Sequence, residues 1–239
     1  MRCNPIGYIR SPYTDTFGIP RQPRLVTAAE ARLELCPAFA REEAFKALDG
    51  FSHVWILFIF HHDCLEAGWK PTVRPPRLGG RQSVGVFASR APYRPNPIGL
   101  SAVEHLGLIR TASGLALRLR GVDMLDGTPV LDIKPYVPYA DAIPEARSGF
   151  AVAPTALTAR SVRFSAAASA ALTRYDPDGS RALRELITQV IAQDPRPGYL
   201  DRYPERREFG LNLMELAIHW RLESDHSLIT AIELAAAAR

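Results

Sequence analysis

Through about its first 140 residues the chain is cut by Gly, Pro and Asp turn signals into short apolar or alternating runs. The runs predict strands at residues 6–10, 31–36, 52–61, 83–88, 100–109, 115–122 and 130–133. One short helix is expected at 41–48, stopped by Asp49-Gly50. Run 52–61 is apolar on both faces, which predicts a central, fully buried strand. Seven or so strands with one helix fit a barrel or a strongly curved sheet. No Gly-x-Gly-x-x-Gly follows the first strand and no βαβα rhythm exists, so a doubly wound dinucleotide-type sheet is excluded.

Around residues 148–161 the texture changes to Ala, Pro, Thr and Ser, as at a boundary. The expected division is an N-terminal β unit, 1–147, and a small α+β unit, 148–239. In the second, Leu183, Leu186, Ile187, Val190 and Ile191 recur at helical spacing, predicting a helix over 181–191 that the Pro-rich residues 194–198 stop. Met214, Leu216, Ile218, Trp220 and Leu222 alternate strictly with more polar residues and predict one half-buried strand. Residues 228–234 are its expected hairpin partner, across 224–227. There is no internal repeat.

Composition excludes some classes. Of 239 residues, 47% are hydrophobic and 23% charged, as in a globular protein with a real core. No apolar run approaches the roughly 18 residues that span a bilayer, the longest being 54–60. Met1-Arg2-Cys3-Asn4-Pro5 is no secretory leader, so a cytoplasmic location is expected. Cys3, Cys36 and Cys64 form no CxxC pair, and an odd count argues against a disulfide framework. The net charge of +4 rests on arginine, since Lys46, Lys70 and Lys134 are the only lysines. Arginine suits bidentate phosphate contact and stacking on bases. The mild excess permits a nucleic-acid partner without demanding one.

The densest chemistry lies in Gly85-Val86-Phe87-Ala88-Ser89-Arg90-Ala91-Pro92-Tyr93-Arg94-Pro95-Asn96-Pro97-Ile98-Gly99. Three prolines stiffen a loop between two strands. Such a loop can hold Arg90, Arg94 and Asn96 in fixed geometry; it also suits a plain turn with solvated arginines. Lys70, Arg74, Arg77 and Arg81 lie in a second proline-rich stretch without an acid, suited to an RNA backbone path or to a solvated loop. Pro20-Arg21-Gln22-Pro23 is again rigid and basic. Asp126-Gly127-Thr128-Pro129 reads as a turn. Asp132 and Lys134 share a face of the next strand, as a surface ion pair or as an acid and base in a cleft.

His61-His62-Asp63-Cys64 does not make a metal site. Adjacent strand residues face opposite sides, and His53 and His61 lie roughly 26 Å apart along a strand. A strand-end role with the imidazole offered to a ligand is the better expectation, and no metal is expected. No nucleophile elbow, HExxH or Cys–His pattern supports a hydrolase.

Ile6-Gly7-Tyr8-Ile9-Arg10-Ser11-Pro12-Tyr13, Pro20-Arg21-Gln22-Pro23, the segments 49–55, 72–80, 85–99 and 126–136, and Asp194-Pro195-Arg196-Pro197 together resemble the TrmO, or TsaA-like (YaeB-like), family of tRNA methyltransferases. The match is dense over about 140 residues and returns at the DPRP loop. The resemblance implies a mainly β protein: a TsaA-like barrel that binds S-adenosylmethionine without a Rossmann sheet, followed by a small α+β domain that binds tRNA or caps the substrate. It implies methylation of the exocyclic nitrogen of threonylcarbamoyladenosine at position 37 of threonine tRNA, by a homodimer. It carries cofactor contact over to Pro20, Arg21, Gln22, His61, His62, Arg90, Leu100, Asp126, Gly127, Thr128 and Pro129. His62 departs from the family's usual Gln, and Ala91-Pro92-Tyr93 adds a proline.

An acylated acceptor nitrogen is a poor nucleophile, so its proton must be removed or polarised. Asn96 is the expected acceptor of that proton's hydrogen bond, and Arg94 the expected clamp on the threonyl carboxylate or a phosphate. Asp132 and Lys134 are the alternative acid–base pair. Arg74, Arg77, Arg81 and Arg196 are the expected RNA contacts. A non-catalytic RNA-binding barrel and a methyltransferase for a small acceptor are the competing readings.

Overall fold

A computed structural model describes residues 3–61, 68–75, 82–151, 160–196, 200, 203 and 205–236. Its core is a closed antiparallel barrel of six strands: β1 (Gly7–Arg10), β2 (Glu30–Leu35), β3 (His53–Ile59), β6 (Ile98–Thr111), β7 (Gly114–Arg120) and β8 (Pro129–Pro135). The order around it is β1-β2-β7-β6-β3-β8, closed by β8 on β1. Alternation puts Ile9, Leu33, Val54, Ile56, Val103, Leu117, Leu119 and Val130 inside, all fully buried. Closure leaves these strands no free edge.

The barrel interior is tight. Gly99 faces Phe58, and a Cβ on Gly99 would collide with that buried ring. Glycine is required by this close approach. Gly99→Ala is therefore expected to destabilise by about 1–3 kcal/mol, through overpacking. A calorimetric midpoint several degrees lower than wild type checks this.

Among the described residues the remaining strands of the first unit are a two-residue ribbon, β4 (Thr72–Val73) paired with β5 (Val84–Gly85). The strand expected at 83–88 is thus only Val84–Gly85, followed by a 3-10 turn at Val86–Ala88. The helix expected at 41–48 is two 3-10 turns, Glu42–Phe45 and Leu48–Gly50, interrupted by Ala47 at φ +68°. Strand β3 is not buried on both faces. Val54, Ile56 and Phe58 point inward, while the outer face is half-covered. Trp55, on that face, packs on Tyr136 at 5.5 Å between ring centroids and donates to Asp141 Oδ2 at 3.0 Å. A barrel strand has one core face, and its outer apolar residues meet a returning segment instead.

The second sheet runs β10-β11-β12-β9, from β9 (Ser161–Phe164), β10 (Glu208–Leu213), β11 (Leu216–Leu222) and β12 (His226–Leu234). The alternating run from Met214 is not one strand. Met214, at φ +53°, and Glu215 form the hairpin turn between β10 and β11, so the strand begins at Leu216. The hairpin of β11 with β12 is as expected, and β9 adds in parallel. Among the described residues two α-helices accompany the sheet: α1 (Ala166–Tyr175), capped by Ser165 accepting from the Ala168 N–H, and α2 (Leu183–Ala192). The first lacked a sequence signal because alanine and serine leave its apolar stripe faint. At α2 the Asp176 carboxylate accepts from the backbone N–H groups of Arg181 and Leu183, at 3.0 and 2.9 Å.

Helix α2 also reaches the barrel unit. Gln189 Oε1 accepts from Ala28 N at 3.0 Å, and Gln193 Nε2 donates to Leu25 O at 3.2 Å. Met214 N donates to Pro12 O at 2.7 Å. Segment 11–29, which carries Pro20-Arg21-Gln22, is thereby held from both sides. Most of the presumed boundary, residues 152–159, lies outside the described residues.

Candidate active site at the barrel rim

Antiparallel neighbours alternate direction, so the C-terminal ends of β1, β3 and β7 and the N-terminal ends of β2, β6 and β8 meet at one rim. Residues 11–29, His61, loop 86–97 and turn 121–128 therefore gather there. Most of the site residues expected from sequence are brought together by topology alone.

Backbone bonds stitch this rim. Ile9 N donates to Thr128 O at 2.9 Å, Gly127 N to Ile9 O at 2.8 Å and Asp126 N to Tyr13 O at 2.8 Å. Ser11 N donates to Asp126 Oδ1 at 3.0 Å, and Ser11 Oγ to Met124 O at 2.8 Å. Gly127 sits at φ +78°, the left-handed conformation that lets the turn fold back. Thr128 is buried, donates to Leu125 O at 2.7 Å and lies 3.4 Å from His61 Nδ1. Arg90 Nη1 donates to Gln22 Oε1, joining two segments expected to meet the cofactor. Pro20 is buried, Arg21 exposed, and Leu100 projects from the outer face of β6 with half its surface open. His62 lies outside the described residues.

Arg94, the expected carboxylate clamp, turns its guanidinium back onto its own loop. Its Nη1 donates to Val86 O at 3.0 Å and Ser89 O at 2.7 Å, and its guanidinium carbon lies 5.6 Å from the Phe87 ring centroid. It staples its own loop, because three prolines remove N–H donors that could otherwise close the turn. Asn96 lies exposed beyond it, its backbone oxygen accepting from Ile98 N at 2.7 Å.

Asp132 and Lys134 do not join the rim. They form a 3.1 Å ion pair, 49% and 62% exposed, on the outer barrel wall opposite Leu57 and Trp55. At strand rise they stand roughly 10 and 16 Å below Pro129. An exposed pair of this kind contributes about 0–1 kcal/mol. Arg196 also turns inward: it is 13% exposed, forks onto Asp194 at 2.6 and 2.7 Å, and lies over Phe209. That geometry ties Arg196 to Asp194 and leaves little of its side chain open. Arg74 is exposed beside β4. Arg77 and Arg81 lie outside the described residues.

One rim residue had no motif to announce it. Asp123 follows β7 at the barrel mouth, half-buried, near Ser101 and within reach of the Arg90 charge. Burial pushes its carboxyl up to about 6 against the opposing effects of Ser101 and Arg90. Its Oδ1 is sealed from solvent and has no hydrogen-bond partner among the described residues. The Tyr13 hydroxyl is equally orphaned, its ionisation suppressed by burial and by the Asp123 charge. Two orphaned polar groups under a donor-rich rim are unusual in a native interior. The available hint was one acid inside the apolar stretch Gly121-Val122-Asp123-Met124-Leu125.

Known proteins resemble this chain over nearly its whole length. The tRNA-methyltransferase O N-terminal domain matches residues 8–142, and the TrmO C-terminal domain residues 158–235. The tRNA (adenine(37)-N6)-methyltransferase of Escherichia coli K12 is 42% identical over 229 residues, 95% of this chain and 96% of that one. A Pyrococcus abyssi protein described as a probable S-adenosyl-L-methionine-binding protein is 40% identical, over 63% of this chain and 76% of its own. The crystal structure of TrmO from Pseudomonas aeruginosa superposes with a TM-score of 0.79 at 43% identity, covering 97% of each chain. The fold and its relatives define a barrel-type S-adenosylmethionine-dependent methyltransferase, distinct from the Rossmann-like class. The chain belongs to the tRNA-methyltransferase O family.

Proposed function

We propose that this chain methylates the exocyclic N6 of adenosine 37 in tRNA, using S-adenosylmethionine, and that its acceptor is threonylcarbamoyladenosine in threonine tRNA. The observation that carries this reading is the rim itself. One end of a closed barrel gathers Pro20, Arg21, Gln22, His61, Arg90 and residues 126–129, tied by the Arg90–Gln22 and His61–Thr128 contacts. The E. coli relative named for this reaction is similar over nearly the whole chain.

The residues present fit the cofactor. Arg90 supplies charge-assisted donors for a carboxylate, Leu100 an exposed apolar surface, and the Asp123 and Tyr13 pair two unsatisfied polar atoms nearby. When bound, the cofactor supplies a methyl on a sulfonium that leaves as a neutral thioether. The chain's own task is then to align the acceptor nitrogen and accept a hydrogen bond from its N–H, the proton passing to solvent as the N–C bond forms. Asn96, at the exposed tip of the stapled loop, is assigned that acceptor role. Its replacement by alanine is expected to lower the turnover rate about 100-fold while S-adenosylmethionine affinity holds. Single-turnover kinetics with parallel calorimetry check it; normal methylation by the variant removes Asn96 from the mechanism.

The assembly is proposed to be a homodimer acting in the cytoplasm. Ile98 and Leu100 leave an outward apolar strip on β6 of the kind a second subunit covers. Among the described residues no helix is long and apolar enough to cross a membrane, and no His, Cys, Asp and Glu cluster could hold a metal. The reading is tested by supplying labelled S-adenosylmethionine and threonine tRNA with and without the threonylcarbamoyl group. Transfer only to the modified tRNA supports it. Transfer to a small nucleoside instead overturns the tRNA assignment.

A further inference from the structure

Between Glu66 and Glu104 the sequence has no acidic residue and six cations: Lys70, Arg74, Arg77, Arg81, Arg90 and Arg94. The described parts of this stretch form one arm. The ribbon of β4 with β5 joins its halves, Val86 N donates to Pro71 O at 3.0 Å, and Lys70 N donates to Tyr93 O at 3.1 Å. Lys70 Nζ lies 4.6 Å from the Tyr93 ring centroid. On this basic arm Phe87 is 75% exposed.

The ring's exposure is built in. Phe87 is the middle residue of the 3-10 turn Val86–Ala88. Val86 beside it is fully buried and anchors the turn, and Ser89 N and Oγ both donate to Val86 O, at 3.1 and 2.9 Å. The two Arg94 bonds fall on Val86 and Ser89, flanking the ring on both sides. The loop thus holds the ring largely exposed, with the Arg94 guanidinium over one face, three residues from Arg90. A stiff exposed ring on a stretch that carries cations and no acid of its own is the arrangement that stacks unpaired bases while the backbone is neutralised. A second copy of this chain is a poorer occupant, because a two-fold contact centred on Phe87 would bring Arg90 and Arg94 against their own copies.

We propose that Phe87 is a base-stacking platform, taking the face of an unpaired nucleobase of the tRNA anticodon loop beside the methyl-transfer site. The inference rests on the tRNA reading above and adds a specific surface to it. The ring places the RNA through a contact that no base sequence restricts, so it aids docking of the loop rather than choice of tRNA.

The test is anisotropy binding of fluorescent threonine tRNA at fixed salt to wild type, Phe87→Ala and Phe87→Trp. Calorimetry with S-adenosylmethionine and sedimentation velocity accompany it. Expected are about ten-fold or greater loss of tRNA affinity in Phe87→Ala, near-wild-type affinity in Phe87→Trp, and unchanged cofactor affinity and mass. Wild-type tRNA affinity in Phe87→Ala overturns the proposal and leaves the tRNA reading standing. A loss that tracks a changed subunit mass also overturns it, making the ring a contact between copies. If wild type itself fails to bind tRNA, the tRNA reading falls and the platform with it.

Discussion

Replacing Arg94 by alanine is expected to lower methyl transfer about 100-fold and to weaken S-adenosylmethionine binding at the same time, while the barrel stays folded. The reasoning starts from the loop's donors. Pro92, Pro95 and Pro97 stiffen individual residues but supply no N–H groups. The side chain of Arg94 adds to the Ser89 bonds on Val86 O, and its own two bonds to carbonyls are each worth about 1.5–3 kcal/mol. Without them residues 86–91 gain freedom, and Arg90 loses its fixed approach to Gln22. A misplacement of about 1 Å at a reacting centre can cost 100-fold in rate. Hydrogen exchange at residues 86–91 should accelerate in the variant, and exchange in the barrel strands should not. If exchange is unchanged and only the KM for tRNA rises, Arg94 grips the substrate instead. The carboxylate-clamp role suggested by the sequence would then be restored.

Asp123→Asn carries the second large effect, and it has opposite signs for stability and activity. The folded carboxyl titrates near 6, above its ordinary 3.8, because burial penalises the charged form. A carboxyl raised in this way binds more protons folded than unfolded between those values, so its contribution to stability falls as pH rises from about 4 to about 6. Above pH 6 the penalty is complete, about 3 kcal/mol from the size of the shift. Asparagine cannot ionise. The variant should therefore melt several degrees above wild type at pH 8, with the gap closing at pH 4. Glu30 and Glu34, both lowered by their arginine partners, push the whole protein the other way, but equally in both variants. The same substitution should reduce cofactor affinity or turnover, because a buried charge kept at a stability cost beside Arg90 is characteristic of a functional site. A variant that is both more stable and fully active would make Asp123 a structural relic.

Much of this was legible in the sequence, for identifiable reasons. Barrel strands announce themselves through period-two alternation, so β1, β2, β6, β7 and β8 fell where the pattern placed them. Antiparallel topology then brought His61, residues 126–129 and loop 86–97 to one rim without any further information. Pattern misled where two elements share a phase. Met214 continues the alternation of β11 across a hairpin turn, and Asp132 with Lys134 share a face that proved to be the outer wall. Side-chain partnerships were the least legible. Nothing in the sequence says that Arg94 turns back onto Val86 and Ser89, that Arg196 closes on Asp194, or that Asp123 Oδ1 is sealed in without a hydrogen bond near Arg90. These depend on tertiary approach, which local periodicity does not encode.

The central claim is tested most directly by mass spectrometry of nucleosides from threonine tRNA after incubation with the protein and S-adenosylmethionine. The account predicts a gain of one methyl on threonylcarbamoyladenosine at position 37, and no gain on tRNA carrying plain adenosine there. Methylation of plain adenosine 37, methylation at another nucleotide, or none with a correctly folded protein that binds both substrates would contradict it.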